Sequence, residues 1–268
     1  MSTKTHILGL GLGALLLLGC PPSSEVKNTA PAFNAEALPA EPEALLKIAD
    51  EQQAGGGARN AVVALEKALQ KPEWANTKAG YEGQWRLARA YADLSDPDGD
   101  QRASTVPPGL AAAKKATEIQ GDRVEGHYYY AQLLGFSALL QKGETKPIIQ
   151  QMVSESEAAA KADEKFDHGG PLRMLGALFA RAPKEPVSVG DPEKAVSFMK
   201  KAVAIEADFP PNQIYLGEAY ISDERYQDAD AALSAARKAL SDSKWDRNRA
   251  AWKDELSRVE RKLRAKQT

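Results

Sequence analysis

The sequence predicts an all-α protein built as a stack of helical hairpins, and three observations carry that prediction. From Pro42 onward a helical period runs almost without interruption, Ala and Leu dominate, and the alternation of a half-buried strand is nearly absent. Helix breakers recur at hairpin-sized intervals: Gly55-Gly56-Gly57, Pro72, Asp96-Pro97-Asp98-Gly99, Pro107-Pro108, Gly121, Gly143, Gly169-Gly170-Pro171, Pro183 to Pro192 and Pro210-Pro211. The chain also repeats itself. Leu134-Gly135, Leu175-Gly176 and Leu216-Gly217 lie 41 residues apart, twice, and Leu87-Ala88 stands 47 residues before the first of them.

The N-terminus reads as an address. Lys4 precedes an apolar stretch of twelve residues, Ile7 to Leu18, which is short for a membrane span and has the length of a signal-peptide core. It ends in Leu17-Leu18-Gly19-Cys20, which resembles the lipobox of bacterial lipoproteins. That resemblance implies a signal peptide over 1–19, cleavage before Cys20 and lipid attachment to its thiol. Pro21, where retention in the inner membrane favours Asp, implies the outer membrane. The Gly9-x-Gly11-x-Gly13 run inside this segment is no nucleotide fingerprint, because no strand precedes it. Residues 20–41, with prolines at 21, 22, 31 and 39, lack a hydrophobic period and read as a flexible tether. The helical domain then occupies 42–268.

Five hairpins follow, at 42–70, 80–119, 122–163, 169–206 and 210–241. In the first helices an aromatic stands four residues after the repeat leucine, as Tyr91, Phe179 and Tyr220, with Ala138 in the remaining unit. The second helices carry small-x3-large-x2-small, as Ala61/Leu65/Ala68, Ala195/Met199/Ala202 and Ala229/Leu233/Ala236. Offsets of four and three share one helical face. A Gly or Ala on the first helix lets the second approach closely, and the large residue fills the groove beside it. Asp191-Pro192-Glu193 supplies a cap, a first-turn proline and an acid at one helix start. A last helix over 245–266 is heavily charged, with Trp245 and Trp252 as core-facing anchors, and reads as the solvated cap of the array.

This pattern resembles the tetratricopeptide repeat, and residues 210–243 fit its 34-residue unit without gaps. The fold class is therefore a tetratricopeptide-like helical-hairpin solenoid of about five hairpins plus a C-terminal capping helix. Two further stretches narrow the resemblance. Trp85-Arg86-Leu87-Ala88-Arg89-Ala90-Tyr91 with His127-Tyr128-Tyr129-Tyr130-Ala131 is similar to the helical-repeat domain of the regulator-of-microtubule-dynamics family. His168-Gly169-Gly170-Pro171, Leu175-Gly176 and Gly190-Asp191-Pro192-Glu193-Lys194-Ala195 are similar to the periplasmic lipoprotein T-component of tripartite ATP-independent (TRAP) transporters. That resemblance implies a periplasmic protein partner such as a solute-binding protein, a homo-oligomer and an internal apolar channel. The polar 183–192 loop departs from the glycine-rich loop of that family.

Composition bounds the chemistry. The 268 residues hold 35 Lys and Arg against 37 Asp and Glu, so no global basic field points to nucleic acid. A single cysteine excludes an intramolecular disulfide and a cysteine-built zinc site. No metal-ligating, nucleophile-elbow or phosphate-cradling motif appears, so neither a cofactor nor an enzyme activity is expected. His127 and His168 are the two histidines after Cys20, and His168 reads as a loop or cap residue bonding the backbone of the next helix start. The expected activity is binding. In tetratricopeptide arrays the inner face is lined by first-helix positions flanking the Leu-Gly. Those offsets give Trp85 and Arg89, Gln132 and Phe136, Arg173 and Ala177, and Ile214 and Glu218 as ligand- or partner-binding candidates. Arg89 and Arg173 suit a carboxylate, and Trp85 and Phe136 suit an apolar chain. The alternative is that the aromatics are core and the arginines pair with neighbouring acids. The Tyr128-Tyr129-Tyr130 run faces three directions on a helix, with one ring expected exposed to a partner.

Overall fold

The computed structural model describes residues 29–95, 101–245 and 248–267. The leader, Cys20 and the first part of the tether lie outside the described residues, as does the Asp96 to Gly99 turn. Eleven α-helices are present among the described residues: α1 Pro42–Ala54, α2 Ala58–Leu69, α3 Lys78–Ser95, α4 Arg102–Ile119, α5 Val124–Leu140, α6 Lys146–Ala162, α7 Phe166–Arg181, α8 Pro192–Ile205, α9 Pro210–Ser222, α10 Tyr226–Ala239 and α11 Arg249–Gln267. They form five consecutive hairpins with α11 as a final single helix, and no strand occurs among the described residues. The predicted hairpin solenoid is the observed fold.

The odd-numbered helices form an inner row, in which α1 packs on α3, α3 on α5, α5 on α7, and α7 on α9. The even-numbered helices form an outer row with one buried face each. Ala61, Leu65 and Ala68 of α2, Ala195, Met199 and Ala202 of α8, and Ala229, Leu233 and Ala236 of α10 are all buried, as their spacing predicts. The glycines of the repeat do what close packing requires. A Cβ on Gly176 would stand 2.5 Å from the Met199 thioether, and one on Gly217 would stand 2.6 Å from Leu233 Cδ2. Gly217→Leu should therefore overpack the last hairpin by about 1–3 kcal/mol. An unchanged melting temperature would overturn this register. Helix α11 packs on α9 and α10, where the next inner-row helix would stand. It buries Trp252, Leu256, Val259 and Leu263, and Trp252 meets Phe209 and Trp245 edge-on.

Three features depart from the sequence reading. First, Pro107-Pro108 does not break the chain; α4 runs through it. The two missing N–H groups would have bonded the carbonyls of Ala103 and Ser104, which lie on an exposed turn where water can satisfy them. Meanwhile Val106, Gly109, Ala112 and Ala113 are buried and hold the helix in place. Second, part of the expected flexible tether is docked. The Thr29 amide donates to the Gly55 carbonyl (2.8 Å), Gln52 Nε2 to the Pro31 carbonyl (2.8 Å) and Lys67 Nζ to the Leu38 carbonyl (2.8 Å). Gly55 and Gly57 leave room for Ala30, since a Cβ on Gly55 would run into its backbone. The glycine turn of the first hairpin is a cradle for residues 29–31. Third, Asp167, His168 and Gly169 take left-handed backbone angles (φ 49, 58 and 83°) ahead of the regular part of α7.

Candidate functional site

The inner row is where the sequence places a binding face, and the structure separates its two halves. In hairpins four and five the row is filled and its polar groups bond one another. Arg173 is 1% exposed. Its guanidinium donates to the Asp167 carboxylate (2.7 Å), the Asp167 carbonyl (3.2 Å) and Asn212 Oδ1 (3.0 Å). Glu218, also 1% exposed, accepts from Arg181 Nη2 (2.6 Å) and Nε (2.9 Å), from Arg258 Nη2 (3.0 Å) and from Lys262 Nζ (3.3 Å). Arg181 also reaches Glu255 of α11 (3.1 Å), which Arg258 grips in turn. Burial alone would raise the Glu218 carboxyl. Arg181, Arg258 and Lys262 outweigh it and hold the group well below the usual carboxylate range. The expected carboxylate-binding role of Arg173 and the partner-binding role of Glu218 are thus corrected: α11 and the neighbouring hairpins already occupy both. Ala177 and Ile214 are buried as well.

Gln132 and Phe136 are 2% exposed, so neither presents a surface to a partner. Arg102 lies over the Phe136 ring, 5.5 Å from guanidinium carbon to centroid. The Gln132 Oε1 has no hydrogen-bond partner among the described residues. The tyrosine run buries two of its rings and leaves the third partly exposed. Tyr128 donates to Asp167 (2.6 Å), Tyr130 accepts from Gln151 (2.9 Å), and half-buried Tyr129 stacks on Trp85.

A second polar cluster on the row joins α1, α3 and α5 and is partly exposed. The Trp85 ring lies parallel to Tyr129 (centroids 6.2 Å apart, 5° between planes). Arg86 and Arg89 stand over the indole at 4.3 and 5.1 Å, a cation–π arrangement that fixes both side chains. Both guanidiniums draw on one carboxylate, Asp50, at 3.0 and 2.7 Å. Arg86 has a second acid in Glu82 at 2.6 Å. Among the described residues Arg89 has no second acid and its buried Nε no partner, while its side chain as a whole is 23% exposed. Trp85 and Arg89 are therefore the two predicted residues that the fold brings together, Trp85 buried and Arg89 partly exposed beside it. Arg86 and Tyr129 complete the cluster and lay outside the offsets used to predict it.

Sequence reasoning missed the partners, although a signal existed. Arg173–Asn212, Arg181–Glu218, Arg89–Asp50, Arg86–Asp50, Tyr128–Asp167 and Arg258–Glu218 are each separated by 36 to 40 residues. That is about one repeat. Complementary polar side chains one repeat apart on adjacent helices mark an internal bond, which leaves a residue to a ligand only where it stays partly exposed, as Arg89 does.

The histidines are structural as well. His127 Nδ1 lies 2.6 Å from Glu155 and Nε2 lies 2.9 Å from the Gly121 carbonyl. The bond to Glu155 and the Gly121 carbonyl outweigh burial and hold the imidazole above its ordinary pKa. His168 bonds the Glu206 carboxylate (2.5 Å) and stacks on Phe209. Its ring thus pairs with a side chain rather than capping a helix backbone. Among the described residues no group of three or more His, Cys, Asp and Glu side chains could hold a metal ion. No described helix is long and apolar enough to cross a membrane.

The tetratricopeptide-repeat family profile matches residues 187–251. A thermophilic tetratricopeptide-repeat protein of Thermus thermophilus superposes with a TM-score of 0.60 at 21% identity, over 83% of this chain and 98% of that one. The MamA protein aligns over 75% of this chain and 92% of its own at 15% identity (TM-score 0.49). YrrB, a tetratricopeptide-repeat protein with an unusual peptide-binding site, aligns over 76% and 89% at 12% identity (TM-score 0.48). No curated protein matches the chain. The family match and the superposition on the Thermus thermophilus protein establish the tetratricopeptide-type fold of the solenoid.

Proposed function

We propose that this protein is a non-enzymatic scaffold of a bacterial cell envelope, lipid-anchored through Cys20, that docks a partner protein on the inner face of hairpins two and three. One observation carries the docking site. Arg89 is fixed over Trp85, shares the Asp50 carboxylate with Arg86 and keeps 23% of its side chain exposed. A carboxylate on an incoming segment pairs with the exposed part of the Arg89 side chain, and the half-buried Tyr129 ring takes an apolar side chain beside it. The outer membrane, facing the periplasm, is the expected address.

The resemblance to the TRAP T-component makes a periplasmic solute-binding protein one class of partner. Outer-membrane assembly, secretion or pilus components are the other. The structure favours docking over conduction, because Phe136, Gln132, Arg173 and Ile214 fill the inner row where a channel would run.

Crosslinked capture from native membranes tests both levels. Enrichment of a solute-binding protein supports the transport-accessory role, and enrichment of assembly or secretion proteins alone supports the scaffold role. Arg89→Glu should abolish either capture; undiminished capture would sink the docking site. Cys20→Ser should move the protein from the membrane to the soluble fraction, and retention in the membrane would sink the anchor.

A further inference from the structure

We infer that the edge of the solenoid carrying the hairpin turns lies against the lipid surface, with Leu140 and Val187 as its apolar contacts and Lys142 and Lys184 beside them. This rests on the anchor proposed at Cys20 and adds an orientation to it.

The turns of successive hairpins follow one another along a single edge, and side chains connect them. Arg59 after the first turn donates to Gln101 beside the second (2.6 Å). Arg102 then covers Phe136 near the end of α5. Lys146 after the third turn donates to Glu185 (3.1 Å) and to the Pro186 carbonyl (2.9 Å) of the fourth. The N-terminal segment leaves the domain on this same edge, because Thr29 and Ala30 dock at Gly55 and Gly57 of the first turn. Only residues 20–28 separate that dock from Cys20. At most about 3.6 Å per residue, nine residues span roughly 30 Å. The dock of residues 29 and 30 makes this edge the nearer one to a lipid on Cys20, so the link reaches it with the least extension.

The edge has the chemistry of such a contact. The described chain has three exposed large hydrophobic residues, and two of them stand here: Leu140 is 40% and Val187 65% exposed. Lys142 and Lys184 are exposed next to them, with Glu144, Glu185 and Asp191 as the acids of the same loops; Lys146 is committed to Glu185 and Asp191 caps α8. Apolar tips with lysines at their base match an interface whose acyl region is covered by anionic and zwitterionic headgroups. The acyl anchor supplies affinity. A short link raises the effective concentration of the edge at the membrane, so two apolar side chains suffice to set orientation. With this edge down, the hairpins stack parallel to the membrane, and the Trp85–Arg89 cluster sits within reach of a partner held at the same height.

The single cysteine makes the test independent of biological lipidation. The chain from residue 20, which keeps every residue described above, is coupled through Cys20 to a maleimide lipid in vesicles of mixed zwitterionic and anionic phospholipids with brominated acyl chains. Val187→Trp and Leu140→Trp report insertion, and Glu164→Trp on the opposite edge is the control. Against the background of the four native tryptophans, Trp at 187 or at 140 should raise the bromine-quenched fraction of the emission at least twofold over the parent protein, and Trp at 164 should leave it at the parent value. Absence of quenching at 187 and 140, or equal quenching at 164, overturns the orientation. Absence of quenching combined with protection of Lys184 from trypsin in native membranes also overturns it, and gives the edge to a protein instead. Failure of the anchor reading shows separately, as membrane retention of Cys20→Ser.

Discussion

Glu218→Ala should lower stability by about 3–5 kcal/mol, because it leaves Arg181 buried against a single remaining acid. For a domain of this size that is roughly 2–4 °C in melting temperature per kcal/mol. Arg181 is 3% exposed in its side chain, and Glu255, its other acid, is itself bonded to Arg258. Removing Glu218 deprives Arg181 of its bidentate partner and leaves Arg258 and Lys262 without the acid that draws α11 onto α9. In a solenoid, a local loss is felt first by the nearest neighbours. The backbone amides of α11 should therefore exchange before those of α1 to α6. Replacing Arg181 and Glu218 together by Met should cost less than Glu218→Ala alone, since no unpaired buried guanidinium remains and Arg258 and Lys262 can turn to water. The pH dependence has a fixed sign. The folded carboxyl titrates below its unfolded value, so its contribution is complete above the ordinary carboxylate range and is lost as pH falls through the depressed value. An unaltered melting temperature and uniform exchange in Glu218→Ala would show that the cluster does not hold the cap.

The same cluster shows what the sequence could and could not reveal. Helix packing is periodic, so Gly217 under Leu233, Gly176 under Met199 and the paired alanines of α8 and α10 are legible from spacing alone. Inner-row offsets also located Glu218 and Arg173 correctly on the inner helices. Their use was not legible, because an acid at such an offset reads identically whether it meets a ligand or an arginine one repeat away. The arginine lies on a different helix, and only the stagger between helices decides whether Arg181 reaches Glu218. Docking of residues 29–31 escaped for another reason. A proline-rich segment without hydrophobic period carries no packing signal, and the cradle that receives it is made of Gly55 and Gly57, whose contribution is missing side chains.

Arg173→Ala should cost about 3–5 kcal/mol, and the loss should concentrate at the junction of hairpins three, four and five. Asp167 and His168 hold left-handed angles, which cost roughly 1–2 kcal/mol for each residue that is not glycine. Something must over-determine them, and Arg173 does. Its guanidinium binds the Asp167 carbonyl and carboxylate, lies 3.4 Å from the His168 carbonyl and anchors Asn212. Asn212 in turn donates to the carbonyls of His168 (3.0 Å), Ala202 (2.9 Å) and Glu206 (3.1 Å), tying the end of α8 to the start of α9. The Phe209 ring closes the site from one side, with the guanidinium carbon 5.0 Å from its centroid. Without Arg173 the two left-handed residues relax, Asn212 loses the donor to its Oδ1, and three helix ends are released together. Arg173→Lys keeps the charge but presents one compact ammonium where a planar fork makes several bonds, so it should recover only part of the loss. Hydrogen exchange should quicken at 166–170 and 206–212 while α1 to α4 keep their protection. If Arg173→Ala melts within about 2 °C of the parent, the turn is held by the local chain and not by the guanidinium.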